Sequence, residues 1–268
     1  MGARLLPGMV LLAWLAMAIA GPLLPLQPDA VDLTRILAPP AHGAWLGYDD
    51  LGRPVWDRLV MGARTAFLVA FWVVSVSALL GTLIGTVSGY FGGVWDRVTV
   101  RLIDVFLAFP GMLLAIALAG VLGPGLGNAV IALVSVGWVG YARLARAQVL
   151  SLKHRDHVAA ARALGAGHAR IVTRHLIPLV AAPLIVEATF GIAAAVTAEA
   201  GLSFLGLGVQ PPHASWGSMI RDGARYMLAA PHAVIAPGAA LALVVLSVNL
   251  LGDRLRDRLD VRSRPGTG

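Results

Sequence analysis

The chain contains no cysteine among its 268 residues. Neither a disulfide framework nor thiolate chemistry is open to it. It is also poor in charge: Asp, Glu, Lys and Arg together make up 13%, against roughly 25% in a soluble domain. Lysine is nearly absent. Lys153 stands alone, between Leu152 and His154, so no glycine-rich loop ending in Lys-Ser or Lys-Thr exists to cradle phosphates. A chain with so little polar surface cannot close into a water-soluble globule.

Apolar sequence takes the place of charge. Hydrophobic residues make up 58% and the mean hydropathy is +0.79, so lipid is the expected solvent. Six apolar runs are long enough to cross a bilayer: 5–24, 65–90, 98–122, 129–150, 177–200 and 233–251. The expected fold is all-α, a polytopic membrane protein with six transmembrane helices. The first run ends in Pro22-Leu23-Leu24-Pro25 without a small-residue cleavage site, so it reads as a retained span rather than a signal peptide. The expected division is a first transmembrane helix over 1–26, an external segment over 27–63 and a five-helix core over 64–252. That core includes a basic loop over 151–177 and an outer loop over 201–232, and a tail over 253–268 follows.

The formal charge of +7 and a pI near 10.9 might suggest nucleic acid, but the cations sit where topology explains them. Arg143, Arg146, Lys153, Arg155, Arg162, Arg170 and Arg174 crowd the loop after the fourth run, opposed by Asp156. Arg254, Arg256, Arg258, Arg262 and Arg264 follow the sixth. The segment after the first run is balanced: Asp29, Asp32, Asp49, Asp50 and Asp57 stand against Arg35, Arg53, Arg58 and Arg64. Positive charge marks the cytoplasmic side, so the basic loop and both termini are expected in the cytoplasm, with no nucleic-acid partner. Within the second run, Gly81, Gly85 and Gly89 recur four apart, a spacing that lets helices approach closely. Packing within the chain is the simpler account of them, a seam with another subunit the alternative.

The basic loop holds the most informative stretch, a polar island between two spans. It runs Asp156-His157-Val158-Ala159-Ala160-Ala161-Arg162-Ala163-Leu164-Gly165 and on to His175-Leu176-Ile177-Pro178. Val158, Ala161 and Leu164 fall three apart and predict a narrow apolar stripe, with His157 and Arg162 off it. Gly165 predicts a stop, a second short helix follows it, and Pro178 resets the backbone as the next span starts. The stripe carries no Trp or Phe to anchor it among lipid head groups. A groove on a soluble protein partner is its expected host.

Polar residues within spans are costly and face cavities or partners. Glu187 and Glu199 in the fifth run are therefore candidates to line a translocation path, Glu187 being the deeper. Arg101 and Asp104 read as an interfacial pair. His42, His213 and His232 are scattered and lack ligand spacing, so no metal site is expected. Ser203 could serve an intramembrane protease as nucleophile, but no histidine lies mid-span to activate it. A secondary transporter driven by Glu187 or Glu199 is the other rival, and no inverted repeat supports it.

The island resembles the coupling-loop pattern of bacterial ABC importer permeases, E-A-A, three residues, G, nine residues, I-x-L-P. Ala159, Ala160 and Ala161 occupy the leading positions, with Gly165 and His175-Leu176-Ile177-Pro178 at the matching distances. Ala159 replaces the glutamate and His175 the isoleucine. Leu46-Gly47-Tyr48-Asp49-Asp50-Leu51-Gly52-Arg53 resembles the L-G-T-D-x-x-G-R element of dipeptide, oligopeptide and nickel permeases. Ala108-Phe109-Pro110, the run Leu202–Pro212 and Ser215-Trp216-Gly217 are similar to further elements of that subfamily, best its second permease. The resemblance implies a type I ABC permease fold in the bacterial inner membrane. It implies a sister permease in a heterodimer, two ATPase subunits and an extracytoplasmic solute-binding protein. Coupling to the ATPase would fall to Val158, Ala159, Ala160, Ala161, Arg162, Leu164, Gly165 and Pro178. ATP and Mg would sit on the partners, with no cofactor bound here. The implied cargo is di- or oligopeptide, with nickel or another small solute as the alternative.

Overall fold

The computed structural model of the chain describes residues 2–41 and 44–259. Those residues form helices and irregular loops, with no strand among them. Successive crossings run in opposite directions when the bent pair of helices over 93–122 is counted as one, so the two ends of the described chain lie at one end of the bundle. The basic island lies at that end also, called here the knuckle end.

Helix α1 (Gly2–Ala20) packs antiparallel to α2 (Val55–Phe91), and the indole Nε1 of Trp14 donates to the carbonyl of Ala63 at 3.1 Å. The α2 helix has 37 residues and begins at Val55, about ten residues before the apolar run expected from 65. Its first turns are polar, which conceals them from hydropathy. They are held by an internal ion-pair network: Arg58 reaches Asp49 at 3.4 Å and Asp29 at 3.7 Å, and Arg53 reaches Asp49 at 2.7 Å. The described residues of 24–54 thus form a folded cap, stapled to α2 by arginines that are almost wholly buried.

The third expected span is corrected by the structure. Residues 98–122 do not make one helix. α3 (Gly93–Leu107) and α4 (Gly111–Leu122) meet at an angle of 87° around Ala108-Phe109-Pro110. Proline offers no N–H and pushes the residue before it out of the helical region, and an apolar count registers neither effect. Among the described residues, five helices are long and apolar enough to cross a membrane, or six with this bent pair counted as one span.

α2 packs most extensively against α5 (Leu126–Leu152). A Cβ on Gly81, Gly85 or Gly89 would collide with the backbone of Trp138, Ala142 or Arg146. The glycine series is an intramolecular seam: the absent side chains bring two backbones into contact at three points, over about two turns. At the knuckle end this seam is fastened by charge. Arg146 donates Nε and Nη2 to the two oxygens of Asp96 at 2.6 and 2.8 Å, Ser88 Oγ donates to the same carboxylate at 2.6 Å, and Lys153 Nζ donates to the Gly89 carbonyl at 2.8 Å. Among the described residues, no ion pair joins Arg101 to Asp104; both are exposed.

The remaining core is α8 (Ile177–Phe204) and α10 (His232–Leu259), which pack on each other and, with α2, close the bundle. At the end away from the knuckle, the short helix α9 (Trp216–Ala224) folds back into the bundle. Ser215 caps it reciprocally with Ser218, and the buried Trp216 indole donates to the Leu59 carbonyl at 3.0 Å. The loop 201–232 is therefore an ordered plug.

Candidate functional site

The knuckle is built from α6 (Asp156–Ala163), a turn at Leu164-Gly165, and a helical run from α7 (His168–Arg170) through a π-helical turn (Ile171–Leu176) into α8. Asp156 opens α6 where its charge suits the helix dipole. Gly165 sits at φ +79°, a left-handed conformation that glycine adopts without penalty. The second arm is continuous with α8 rather than separate from it. Pro178 lies in the first turn of α8, and the widened turn before it absorbs the hydrogen bond that proline cannot donate.

The predicted stripe is corrected in detail. Val158 and Ala161 are both buried within this chain, and Val158 packs with Tyr90, Val149, Leu152, Ile171, Leu176 and Val180. Leu164 is not with them. The helix ends at Ala163, the chain turns through Leu164 into Gly165, and Leu164 is 89% exposed. A three-residue spacing carried past the end of the helix put it on the wrong face. The exposed face of the knuckle carries Ala159, Ala160, Arg162, Ala163 and Leu164, with Arg155, Arg170 and Arg174 around it. The inner face is pinned by Tyr90, whose Oη lies 2.9 Å from His168 Nδ1.

A second feature lies within the bundle. A cavity of about 820 Å³ opens between α2, α4, α5, α8 and α10. Its walls are mostly small and apolar, and its polar lining is Ser77, Tyr141, Glu187, Thr197 and Asn249. Glu187 is the charged residue among them. It stands ten residues into α8, about 15 Å along the helix. The other predicted carboxylate is elsewhere. Glu199 is 1% exposed, outside this cavity, and its Oε1 accepts from Ser203 Oγ at 2.6 Å. Ser203 Oγ in turn accepts from the Val209 N–H at 3.1 Å. Glu199 thus does not share the Glu187 cavity; it ties the end of α8 to the loop that follows. Ser203, fully buried and so engaged, is no nucleophile.

Of the histidines, His232 Nε2 bonds the Tyr48 carbonyl at 3.1 Å, and His42 lies outside the described residues. Sequence reasoning missed Ser77 and Tyr141 in the cavity. Both follow from the glycines of α5: Gly137 faces Ser77, and Tyr141 lies one turn beyond it.

Comparison with known proteins gives this geometry its context. Residues 81–265 match the family described as binding-protein-dependent transport system inner membrane component. The dipeptide transport system permease protein DppC of Alkalihalophilus pseudofirmus is 40% identical over 256 residues, covering 95% of this chain and 84% of that one. The nickel transport system permease protein NikC of Escherichia coli is 42% identical over 238 residues, 88% of this chain and 86% of that one. The glutathione transport system permease protein GsiD of Pectobacterium atrosepticum is 40% identical over 229 residues, 85% and 76% respectively. Among solved structures, an inward-facing MetNI methionine ABC transporter superposes with a TM-score of 0.56 at 20% identity, covering 76% of this chain and 94% of that one; this likeness concerns the fold. The chain belongs to the binding-protein-dependent transport inner-membrane components: it is a multi-pass, non-catalytic permease subunit of an ABC importer, working with ATPase and substrate-binding partners.

Proposed function

We propose that the chain forms, with a sister permease, the translocation path for di- or oligopeptides, and that the path runs through the cavity at Glu187. The observation that carries this reading is the pairing of an open cavity bearing a mid-span carboxylate with an exposed knuckle at one end of the same helix, α8. Peptide is favoured because relatives that cover most of the chain are named for dipeptide or peptide transport. A nickel permease at similar identity keeps a small metal cargo as the second reading.

In this reading two ATPase subunits close on ATP and Mg, which they bind; this chain binds no cofactor. One ATPase subunit seats against the exposed face of α6, around Ala159, Ala160, Arg162 and Leu164, with Gly165 as the turn and Pro178 at the root of α8. Val158 and Ala161 hold the knuckle to the bundle from its inner side. The knuckle passes the closure to α5 and α8, and the path alternates between inward-facing and outward-facing states. The knuckle end, with both termini, faces the cytoplasm, and the segment 27–54 faces outward to the binding protein. The exposed arginines around α6 support that orientation; Arg146 and Lys153, held inside, no longer count toward it.

Reporter fusions and purification test the scheme. A reporter fused after Arg258 should behave as cytoplasmic and one inserted near Gln27 as external. The intact importer should bring down its ATPase with this chain and take up a peptide delivered by its binding protein. Reversed reporters would overturn the orientation, and uptake of nickel without peptide would overturn the cargo.

A further inference from the structure

Among the described residues, the cavity at Glu187 contains one charge and no counter-charge. Its lining includes no arginine, lysine or histidine, and the Glu187 side chain takes no ion pair or hydrogen bond among the described residues. A carboxylate so placed is expensive in a mostly apolar wall unless a cation meets it. Two hydroxyls in the same cavity are also unsatisfied. Ser77 Oγ and Tyr141 Oη are buried and have no hydrogen-bond partner. By contrast, Thr197 Oγ1 is already engaged with the Ala193 carbonyl at 2.8 Å.

Each of the three oxygens sits close against a glycine. A Cβ on Gly137 would stand 2.7 Å from Ser77 Oγ, and one on Gly140 would stand 3.2 Å from Glu187 Oε1. One on Gly191 would collide with Tyr141 Oη. Gly137, Gly140 and Tyr141 share α5, while Glu187 and Gly191 are one turn apart on α8. Three acceptor oxygens from α2, α5 and α8 thus border one opening, and an ammonium group carries three N–H donors.

We infer that Glu187, with the hydroxyls of Tyr141 and Ser77, forms a subsite that receives the cationic end of the solute, a primary ammonium such as the amino terminus of a peptide. The inference rests on the reading of this cavity as the path. A zwitterionic solute would then enter with its ammonium neutralised by Glu187, while its remaining atoms face the small apolar wall.

The absence of native cysteine supplies the test. Ala194 is exposed in the cavity lining, two turns from Glu187 on α8 and about 10 Å along the axis. The assembled importer carrying Ala194→Cys is treated in detergent with aminoethyl methanethiosulfonate, which is cationic, or its sulfonatoethyl counterpart, which is anionic. Modification of this chain is followed by mass spectrometry, with rates normalised to a free thiol. The expected preference for the cation is about tenfold or more, within the range of electrostatic focusing in clefts. It should fall to near parity in Ala194→Cys/Glu187→Gln and persist in Ala194→Cys/Glu187→Asp. Parity with Glu187 present, as when a basic residue of the sister permease already neutralises it, overturns the cation subsite and leaves the path standing. A preference that survives Glu187→Gln also overturns it. If neither reagent reacts, water does not reach the cavity, and the path reading fails as well.

Discussion

Tyr90 Oη and His168 Nδ1 meet at 2.9 Å across 78 residues of chain, joining the last turn of α2 to the second arm of the knuckle. The rings also pack edge-on, with centroids 5.7 Å apart. The knuckle is therefore held from beneath by the second crossing as well as by α8, which continues it. Tyr90→Phe keeps the ring and removes the hydroxyl, at a cost of about 0.5–1.5 kcal/mol. Assembly should persist, while the ratio of solute transported to ATP hydrolysed should fall. An unchanged ratio would show that this contact carries no motion.

Gly165 requires its left-handed φ of +79° but has open space around the position of a Cβ. Substitution there is a matter of backbone strain alone. Gly165→Ala and Gly165→Val should each weaken coupling, with a strain of roughly 1–2 kcal/mol in the left-handed region. Gly165→Asn, which tolerates that region, should be milder. Equal loss in the alanine and asparagine variants would point to bulk rather than backbone.

The two faces of α6 should respond differently to change. Ala161→Trp overfills a buried position on the inner face of α6, and overpacking costs about 1–3 kcal/mol; the permease itself should lose thermal stability. Leu164→Asp alters the exposed face and should cut the ATPase recovered per permease about tenfold while the melting temperature holds. Arg162→Gln should cost ~0–1 kcal/mol, as for a rim charge. If Arg162→Gln releases the ATPase and Leu164→Asp does not, the attachment is an electrostatic clamp.

The cap over 24–54 carries a group strained by charge. Burial raises the Asp50 carboxyl above its ordinary value, and neighbouring Asp49 adds to the rise against the opposing pull of Arg53. Asp50 Oδ1 lies 3.5 Å from Arg53 Nη2 without a hydrogen bond. An acid whose folded pKa is raised imposes no penalty below its unfolded value of 3.8. The penalty grows as pH rises through the unfolded and then the folded value, and it is complete at neutral pH. Asp50→Asn should therefore leave stability at pH 7 unchanged or raised, and the advantage should vanish near pH 4. Melting curves of the detergent-solubilised importer at the two values decide it; a variant less stable at pH 7 would give the Asp50 charge a supporting role.

Much of this architecture is legible in residue order. The apolar runs locate α1, α5, α8 and α10, because lipid demands length and apolarity and little else. The break at Pro110 and the early start of α2 are not legible in the same way. One depends on the direction of a single peptide, and the other on arginines buried against carboxylates of the preceding segment. The knuckle could be located from its glycine and proline, yet the face it presents could not be read from spacing, since Leu164 lies one residue beyond the end of its helix. Glu187 stood out as a charge within a span. Its companions Ser77 and Tyr141 belong to other helices, and only packing brings the three together.

The glycine seam between α2 and α5 also limits how this molecule can move. Backbones in contact over about two turns leave no side-chain layer to act as a bearing. Sliding one helix past the other would drive peptide groups together, and the Arg146–Asp96 bond and the Lys153 contact clamp the same pair at one end. The two helices form a single plank. A change of state that keeps these contacts swings the plank as a unit against α8 and α10, with its hinges at the plank's borders.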